Sequence, residues 1–467
     1  MKFNKKNQTT KTVNLAGGEA YKESTKLELV SVLLTSFVSD QFYRKANDTV
    51  ERVTELIKTL PDKKFAAKAA IYARTKFGMR SISHVAAGEI AKQVKGEQWT
   101  KSFFDQIVYR PDDMMEILAY VGEGAIPNSL KKGFAAAIGR FDAYSLAKYR
   151  AENADISLVD VVNLVHPKPT AKNGDALTKL IKGELKSTET WETKLTQAGQ
   201  QASDEVSKEE LKAAAWGDLV TNKKLGYMAL LKNMRNIMEQ APDMTVQACE
   251  QLKNREAIKK SLVLPFRFTT AIEEVKSNRV VVAAMNEALE LSLDNVPRLA
   301  GKTLVAVDTS GSMSGKPSQI ASLFGAVIAK TNDADILTFN DSARYHDYNP
   351  GDTLTTIASG LKFTPSGTNF HSIFDTANKK YDRIIILSDM QACVGYHTPK
   401  DAFARYRTRT KCEPLIYSFD LQGLGSLQFP EAGVVALAGF SDKIFDIMAM
   451  VETDKNALIN EIEKISL

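Results

Sequence analysis

Two patterns of apolar and polar positions divide this chain. Before about residue 300, apolar residues recur with a helical period and strand-like alternation is nearly absent; residues 26–39, for example, place Leu27, Val30 and Leu34 on one face. Residues 48–60 repeat that spacing. Further helices are predicted at 64–77, 81–94, 112–121, 129–141, 158–164, 208–219, 225–238 and 246–252. Many short helices in series predict an α-solenoid, although no strict sequence period is visible.

One segment of this helical region departs from the pattern. Residues 172–207 are polar and charged and lack a clear apolar face. We expect them to form a connecting segment between helices rather than part of the packed array.

After residue 302 the spacing of apolar residues is no longer helical throughout. Short β-branched runs alternate with helical patterns such as residues 317–330 and 370–380. The predicted strands are 303–308, 334–340, 383–389, 414–420 and 434–439. This alternation predicts a mostly parallel, doubly wound α/β sheet. We therefore predict two domains, an all-α solenoid over residues 1–295 and an α/β domain over residues 296–467.

Composition narrows the class of protein. The 467 residues are 44% hydrophobic and 25% charged, as in ordinary globular proteins. No apolar run approaches the ~20 residues of a membrane span, and no apolar segment follows the basic N-terminus, so we expect neither a membrane protein nor a signal peptide. The three cysteines, Cys249, Cys393 and Cys412, lack metal-ligand spacing, which favours a reducing, cytoplasmic location.

Charge is distributed unevenly between the two parts. Residues 301–467 contain 16 Lys and Arg against 19 Asp and Glu, a net charge of −3, whereas residues 1–300 contain 45 against 37, a net charge of +8. The basic surplus therefore lies in the helical part, which is where a polyanionic partner would bind.

The first chemically informative residues follow the first predicted strand. Asp308 ends it, and Ser310 and Ser312 follow at alternate positions. One carboxylate and two hydroxyls aimed at one point suit a hard divalent cation, Mg²⁺ or Mn²⁺. Two later loops can add oxygen ligands, because Thr368 follows a Pro-Ser-Gly turn and Asp389 ends another predicted strand, where ligands of open α/β sheets gather.

This order of residues resembles the metal-ion-dependent adhesion site of the von Willebrand factor A domain. All five ligand positions of that site are matched, by Asp308, Ser310, Ser312, Thr368 and Asp389. The resemblance implies one bound divalent cation, most readily Mg²⁺, and the docking of an acidic protein ligand on it.

Several segments of the helical part resemble the Ro ribonucleoprotein family, which carries the TROVE module. The matching segments are Pro127–Gly133, Ala147–Arg150, Asn163–Pro169, Met228–Met234 and, at the metal loop, Leu304–Met313. The resemblance implies a monomeric ring of HEAT-like repeats closed by the A domain. It also implies binding of small noncoding Y-like RNA outside the ring and of single-stranded RNA ends in the hole, with a tethered exoribonuclease as a further partner.

An outer RNA site is predicted from basic side chains grouped on neighbouring helices, and the resemblance places Lys148, Arg150 and His166 on or beside family positions that contact RNA. Its residues are Lys131, Lys132, Lys148, Arg150, His166 and Lys168. Any single lysine on a helix is ordinarily solvated surface, and His166 beside Pro167 fits a helix-end cap as well as an RNA contact. Glu152 departs from the family, which places an arginine there.

Residues for the inner surface and the core are also predicted. Arg74, Lys76 and Arg80 lie at a helix junction that could face the hole, and a surface junction that binds no ligand explains them at least as well. His84 and Trp99 are interpreted as packing residues.

Two other classes of function stay open. The first is a metal-dependent phosphatase with Asp308 as the nucleophile. Such enzymes need a carboxylate two residues later, where this chain has Ser310, and a metal-bound aspartate is a poor nucleophile. The second is a metal-dependent protein-docking module that binds no RNA. We expect no catalytic activity.

Overall fold

The structure is a computed structural model. It describes residues 11–13, 19–21, 25–35, 46–122, 124–150, 154–186, 188, 190–391, 399–421, 428–429, 434–438, 444–453 and 457–467. Glu152 and Cys393 lie outside the described residues.

Helices dominate the first part of the chain. A short antiparallel hairpin, β1 (Lys11–Val13) and β2 (Glu19–Tyr21), precedes them and is a small departure from an all-α prediction. The first nine helices are α1 (Thr25–Thr35), α2 (Ala46–Thr59), α3 (Lys63–Thr75), α4 (Ser81–Gln93), α5 (Thr100–Gln106), α6 (Pro111–Val121), α7 (Asn128–Ile138), α8 (Ala143–Lys148) and α9 (Leu158–Val165). Helices close in sequence pack on one another, α3 on α4 and α5 on α7, as in a helical-repeat array.

The array continues through residues that we predicted to be a connecting segment. The next helices are α10 (Gly174–Ile181), α11 (Trp191–Gln201), α12 (Glu205–Thr221), α13 (Tyr227–Gln240), α14 (Thr245–Leu252), α15 (Arg255–Ser261), α16 (Phe266–Glu274) and α17 (Arg279–Leu291). The prediction for residues 172–207 was wrong because one aromatic pair anchors a polar helix: the Trp191 ring stacks 6.2 Å from that of Trp216 on α12, and Thr190 caps α11.

The second part is a six-stranded sheet flanked by helices. Its strands are β3 (Thr303–Asp308), β4 (Asp335–Phe339), β5 (Ala343–His346), β6 (Arg383–Ser388), β7 (Leu415–Asp420) and β8 (Val434–Ala438), in the order β5-β4-β3-β6-β7-β8. Every neighbouring pair is parallel except β4 with β5. Its helices are α18 (Lys316–Asn332), α19 (Leu354–Gly360), α20 (His371–Thr376), α21 (Pro399–Thr410), α22 (Ile444–Thr453) and α23 (Ala457–Glu463).

The central strand β3 is buried on both faces, as a doubly wound sheet requires. Val305 and Val307 belong to one apolar core, which continues into the helical array, whereas Leu304 and Ala306 belong to a second core beneath α20 and α21. The prediction of a mostly parallel α/β sheet is confirmed; the antiparallel edge strand β5 was not predicted.

The A domain contacts both ends of the helical array. At the late end, the Phe266 ring on α16 lies 5.9 Å from that of Phe324 and 6.1 Å from that of Phe445. At the early end, α23 packs on α3, where the Lys68 ammonium donates to the Glu463 carbonyl at 2.6 Å. Because the array meets one domain at both ends, the chain closes into a ring, as predicted.

The connection between the two parts is short. The last turn of the array ends at Asn295, and β3 begins at Thr303. The predicted boundary between residues 295 and 296 falls at the start of this connection. Among the described helices, none is long and apolar enough to cross a membrane.

Candidate metal centre and nucleic-acid interface

Asp308 is the last residue of β3, and its carboxylate is fully buried. The Ser310 backbone N–H donates to Oδ1 at 2.9 Å, and the Ser388 hydroxyl donates to Oδ2 at 2.5 Å. The Ser310 hydroxyl forms a further hydrogen bond with the same carboxylate. These bonds hold the Asp308 side chain in one orientation at the carboxyl end of the sheet.

Asp389 approaches from the neighbouring strand. It follows β6, which pairs with β3 in parallel register. Its carboxylate is buried and accepts from the Ser312 hydroxyl, and the Ser312 Oγ lies 3.4 Å from the Ser310 Oγ. Two hydrogen bonds to carboxylates and this short approach of the two hydroxyls therefore bring four of the five predicted metal ligands into one continuous group of oxygen atoms.

Thr368 belongs to a third loop at the same end of the sheet. Its side chain is buried. Two backbone hydrogen bonds join this loop to the Asp308 loop, from Thr364 N to Thr309 O at 3.0 Å and from Gly311 N to Ser366 O at 3.2 Å. A Cβ at Gly311 would lie 3.3 Å from Pro365 Cα, so glycine permits the close approach of the two loops.

Ser388 was not predicted from the sequence. It precedes Asp389, and only the pairing of β6 with β3 brings its hydroxyl to Asp308, 80 residues earlier. Strand order is a tertiary property, so the residue pattern alone carried no signal for this contact.

The electrostatics favour a cation at this position. Burial raises the pKa of Asp308 to about 7, and the nearby charge of Asp389 adds to the rise, although hydrogen bonds from Ser310 and Ser388 oppose it. Burial likewise raises the pKa of Asp389. In the described part of the chain no lysine or arginine pairs with Asp308. A buried carboxylate without a basic partner is costly, and a divalent cation would remove that cost.

The donor set fits a hard cation. It consists of carboxylate and hydroxyl oxygens only, the ligands that suit Mg²⁺, which keeps several waters and takes few carboxylates. Within the described ranges no group of three or more His, Cys, Asp or Glu side chains is arranged to hold a metal ion, so the fit rests on the serine and threonine hydroxyls.

The six residues of the predicted RNA site lie on and after α7, α8 and α9. Lys132, Lys148 and Lys168 are exposed, and Lys131 is half-buried. No described carboxylate forms an ion pair with any of these four lysines, whereas Lys194 and Lys330 elsewhere on the chain are paired. Their ammonium groups therefore remain available to an external anion.

Arg150 and His166 have structural roles as well. The Arg150 guanidinium donates to the Leu185 carbonyl and is half-buried, so part of its hydrogen-bonding capacity serves the fold. His166 ends α9 in the left-handed conformation, with φ of 47°, and its backbone N–H donates to Val162 O at 3.0 Å. Its side chain is exposed, so the cap and the RNA contact are compatible.

The junction between α3 and α4 differs from the expectation. Arg74 is buried and binds Asp113 on α6 through three hydrogen bonds of 2.8–3.1 Å, so it cannot line a hole. Arg80 is half-exposed and pairs with Asp112 at 2.7 Å, and Lys76 is exposed.

The two packing residues behave as expected. His84 is buried, and its Nε2 lies 2.8 Å from the Asp113 carboxylate. Trp99 is half-buried against the apolar core.

Comparison with known proteins identifies the family. The sequence matches the TROVE domain over residues 19–202 and 179–303. The structure is similar to the crystal structure of the Ro protein (RSR) of Deinococcus radiodurans, with 20% sequence identity, a TM-score of 0.65, and coverage of 91% of this chain and 98% of that one. That likeness shows a shared fold. Because the matched segments cover more than half of the chain, this protein belongs to the TROVE domain family.

Proposed function

We propose that this protein binds small, structured noncoding RNA on the outer surface of its helical ring and takes part in RNA quality control. Family membership supports the proposal, and so does the +8 net charge of residues 1–300. The observation that carries it is the group of exposed lysines without described carboxylate partners around α7–α9. Exposed lysines without a carboxylate partner can neutralise RNA phosphates and so release the counterions that the RNA holds.

In this proposal Lys131, Lys132, Lys148 and Lys168 contact phosphates, and the His166 imidazole adds a polar contact. Arg150 contributes less, because its guanidinium also holds the Leu185 carbonyl. Binding of single-stranded RNA ends, a cytoplasmic location and the tethering of an exoribonuclease belong to the same proposal.

Salt-dependent binding of a Y-like host RNA tests the outer site. For each neutralised phosphate, log K falls with log salt by roughly 0.7 to 0.9. Replacing Lys132, Lys148 and Lys168 together by glutamine should weaken binding and flatten the slope by about two to three units. Replacing Lys194, Lys224 and Lys330, which are already ion-paired, is the matched control and should leave the slope unchanged. Equal affinity and slope for wild type and the first variant would refute the site.

A second function belongs to the A domain. We propose that Asp308, Ser310, Ser312, Thr368 and Asp389 bind Mg²⁺, directly or through water, and that the ion then accepts a carboxylate from a protein partner. The buried oxygen atoms at the ends of β3 and β6 support it. Asp308 then acts as a ligand rather than a nucleophile, since Ser310 occupies the position where a phosphatase needs its acid.

One measurement separates the two functions. A docking module without RNA would purify free of nucleic acid, with a low ratio of absorbance at 260 nm to that at 280 nm. An RNA-binding ring should carry host RNA at low salt and lose it at high salt. Asp308→Ala should leave that RNA bound, because the metal site and the lysines lie in different domains.

A further inference from the structure

Two exposed tyrosines lie beside the proposed RNA surface. In the described part of the chain the exposed large hydrophobic side chains include two aromatic rings, Tyr109 at 59% and Tyr144 at 51% exposure. The other rings of the helical region whose side chains the structure describes are buried or half-buried. Tyrosine is enriched at binding interfaces because its ring is apolar while its hydroxyl stays wet, so two exposed tyrosines in this region are candidates for ligand contact.

Cations connect Tyr144 to a third ring, that of Tyr149, and connect Tyr149 to the turn that carries Tyr109. The Lys148 Nζ lies 6.0 Å from the Tyr144 ring and 5.6 Å from the Tyr149 ring. The Arg110 guanidinium lies 4.6 Å from the same Tyr149 ring. We call the set Tyr109, Arg110, Tyr144, Lys148 and Tyr149 the tyrosine ridge. Because Lys148 is also a proposed phosphate contact, the ridge adjoins the phosphate-binding surface.

A buried network fixes one end of the ridge. The Asp113 carboxylate accepts the backbone N–H of Tyr109 at 2.9 Å and that of Arg110 at 2.8 Å. It also binds Arg74, whose guanidinium lies 5.2 Å from the Tyr109 ring. The turn that presents Tyr109 is therefore held rigidly, which lowers the entropic cost of binding a ligand.

We propose that the tyrosine ridge stacks unpaired bases of the bound RNA while the adjacent lysines hold its phosphates. This inference rests on the proposed RNA binding and names the part of the RNA that the surface would recognise. Alternating aromatic rings and cations are the means by which proteins bind single-stranded nucleic acid, since every base offers a ring face. An acidic protein segment would use the cations but would leave the exposed rings without a role.

The test uses paired variants of the full-length protein. Tyr109→Ala/Tyr144→Ala removes both rings, and Tyr109→Phe/Tyr144→Phe keeps them. The phenylalanine pair is a matched control because no described hydrogen bond involves either phenolic hydroxyl. The probes are a single-stranded oligouridylate that carries one 2-aminopurine and an abasic oligomer of the same length. Circular dichroism and urea midpoints verify that both variants fold.

We expect the alanine pair to bind the base-bearing probe at least about fivefold more weakly and the phenylalanine pair to match wild type. The abasic probe should bind all three proteins equally, and 2-aminopurine fluorescence should change only where the rings remain. Full affinity of the alanine pair for the base-bearing probe would overturn the ridge, and so would an equal loss for both probes.

Different experimental results would refute the stacking role of the tyrosine ridge and the proposed RNA binding. If the variant of Lys132, Lys148 and Lys168 loses RNA while the alanine pair does not, stacking is wrong and RNA binding stands. If wild type binds neither the host RNA nor the oligomer, both proposals fail.

Discussion

Two buried carboxylate clusters in this protein show opposite electrostatics. Asp113 in the helical ring and Asp308 in the A domain are both fully buried, and each accepts backbone N–H donors from a turn. Burial acts to raise the pKa of Asp113, but hydrogen bonds from His84 and Arg74 and the charge of Arg74 outweigh it and hold the pKa at about 2. The pKa of Asp308 instead rises to about 7.

The difference lies in what compensates each charge. Asp113 has the positive charge of Arg74, so the chain itself completes the cluster. Asp308 has only hydroxyls, a backbone N–H and the nearby carboxylate of Asp389. A cluster whose charges compensate each other needs no external ion, and the loss of one partner destabilises the fold, whereas a cluster that is anionic and buried is suited to an external cation. Charge compensation within the chain therefore distinguishes the structural cluster at Asp113 from the candidate binding site at Asp308.

The largest expected effect is the loss of the compensating charge in the ring. Arg74→Met leaves the Asp113 charge buried without its partner and should lower the free energy of unfolding by about 3–5 kcal/mol. Urea denaturation measures this loss. Arg255→Met, at an exposed pair with Asp294, is the control and should cost less than about 1 kcal/mol. Similar losses for the two variants would mean that Arg74 does not compensate the buried charge of Asp113.

Removing the buried carboxylate charge itself should stabilise the A domain when no metal ion is bound. In EDTA the ionised Asp308 lowers stability as pH rises from about 4, near its unfolded pKa, to about 7, by on the order of 4 kcal/mol. Asp308→Asn should therefore raise the unfolding free energy above pH 7 and flatten that pH dependence. The substitution should also abolish the stabilisation of the fold by Mg²⁺. For wild type this stabilisation is about 2.7 kcal/mol when the free Mg²⁺ concentration is 100 times Kd.

The control for this prediction is Asp375→Asn, which removes an exposed carboxylate of the same domain. It should keep the response to Mg²⁺ in thermal unfolding. A stabilising response to Mg²⁺ that persists in Asp308→Asn would place the ion elsewhere.

A smaller effect is expected on the free energy of unfolding at low pH. The folded pKa of Asp113 is depressed, so its contribution is complete above its unfolded pKa near 4 and is lost as pH falls to about 2. The stability difference between wild type and Asp113→Asn should shrink by about 2 kcal/mol over that interval. Urea midpoints at several pH values measure it. A difference that stays constant down to pH 2 would show that Arg74 and His84 do not depress the pKa.

The smallest effect is expected where a carboxylate stays in water. Glu463 pairs with Lys68 at 3.1 Å across the ring closure, and its side chain is 43% exposed. Lys68→Met removes this pair and the hydrogen bond to the Glu463 carbonyl, and should cost about 1 kcal/mol, because solvent screens the exposed carboxylate and the packing of α23 on α3 remains. Urea denaturation, with Lys58→Met as a surface control, checks this. A loss comparable to that of Arg74→Met would make this pair a principal element of ring closure.

Much of the architecture could be predicted from local periodicity. All ten helices predicted in the ring exist within a few residues, because a long amphipathic stretch encodes which face is buried. The seven helices that were not predicted include five of nine residues or fewer, such as α8 and α15, which are too short to show a period. The polar helix α11 was missed because its anchor, Trp216, lies on another helix.

The sequence by itself determined that two parts exist, that one strand ends at Asp308 and another directly before Asp389, and that the basic surplus lies in the ring. Only the tertiary structure decided which charges are compensated. Arg74 meets Asp113 across 39 residues, and Ser388 meets Asp308 across 80. The physical reason is the distance along the chain over which each property is determined. The periodicity of apolar side chains is determined within a few residues, whereas the partner of a buried charge depends on which distant elements pack together.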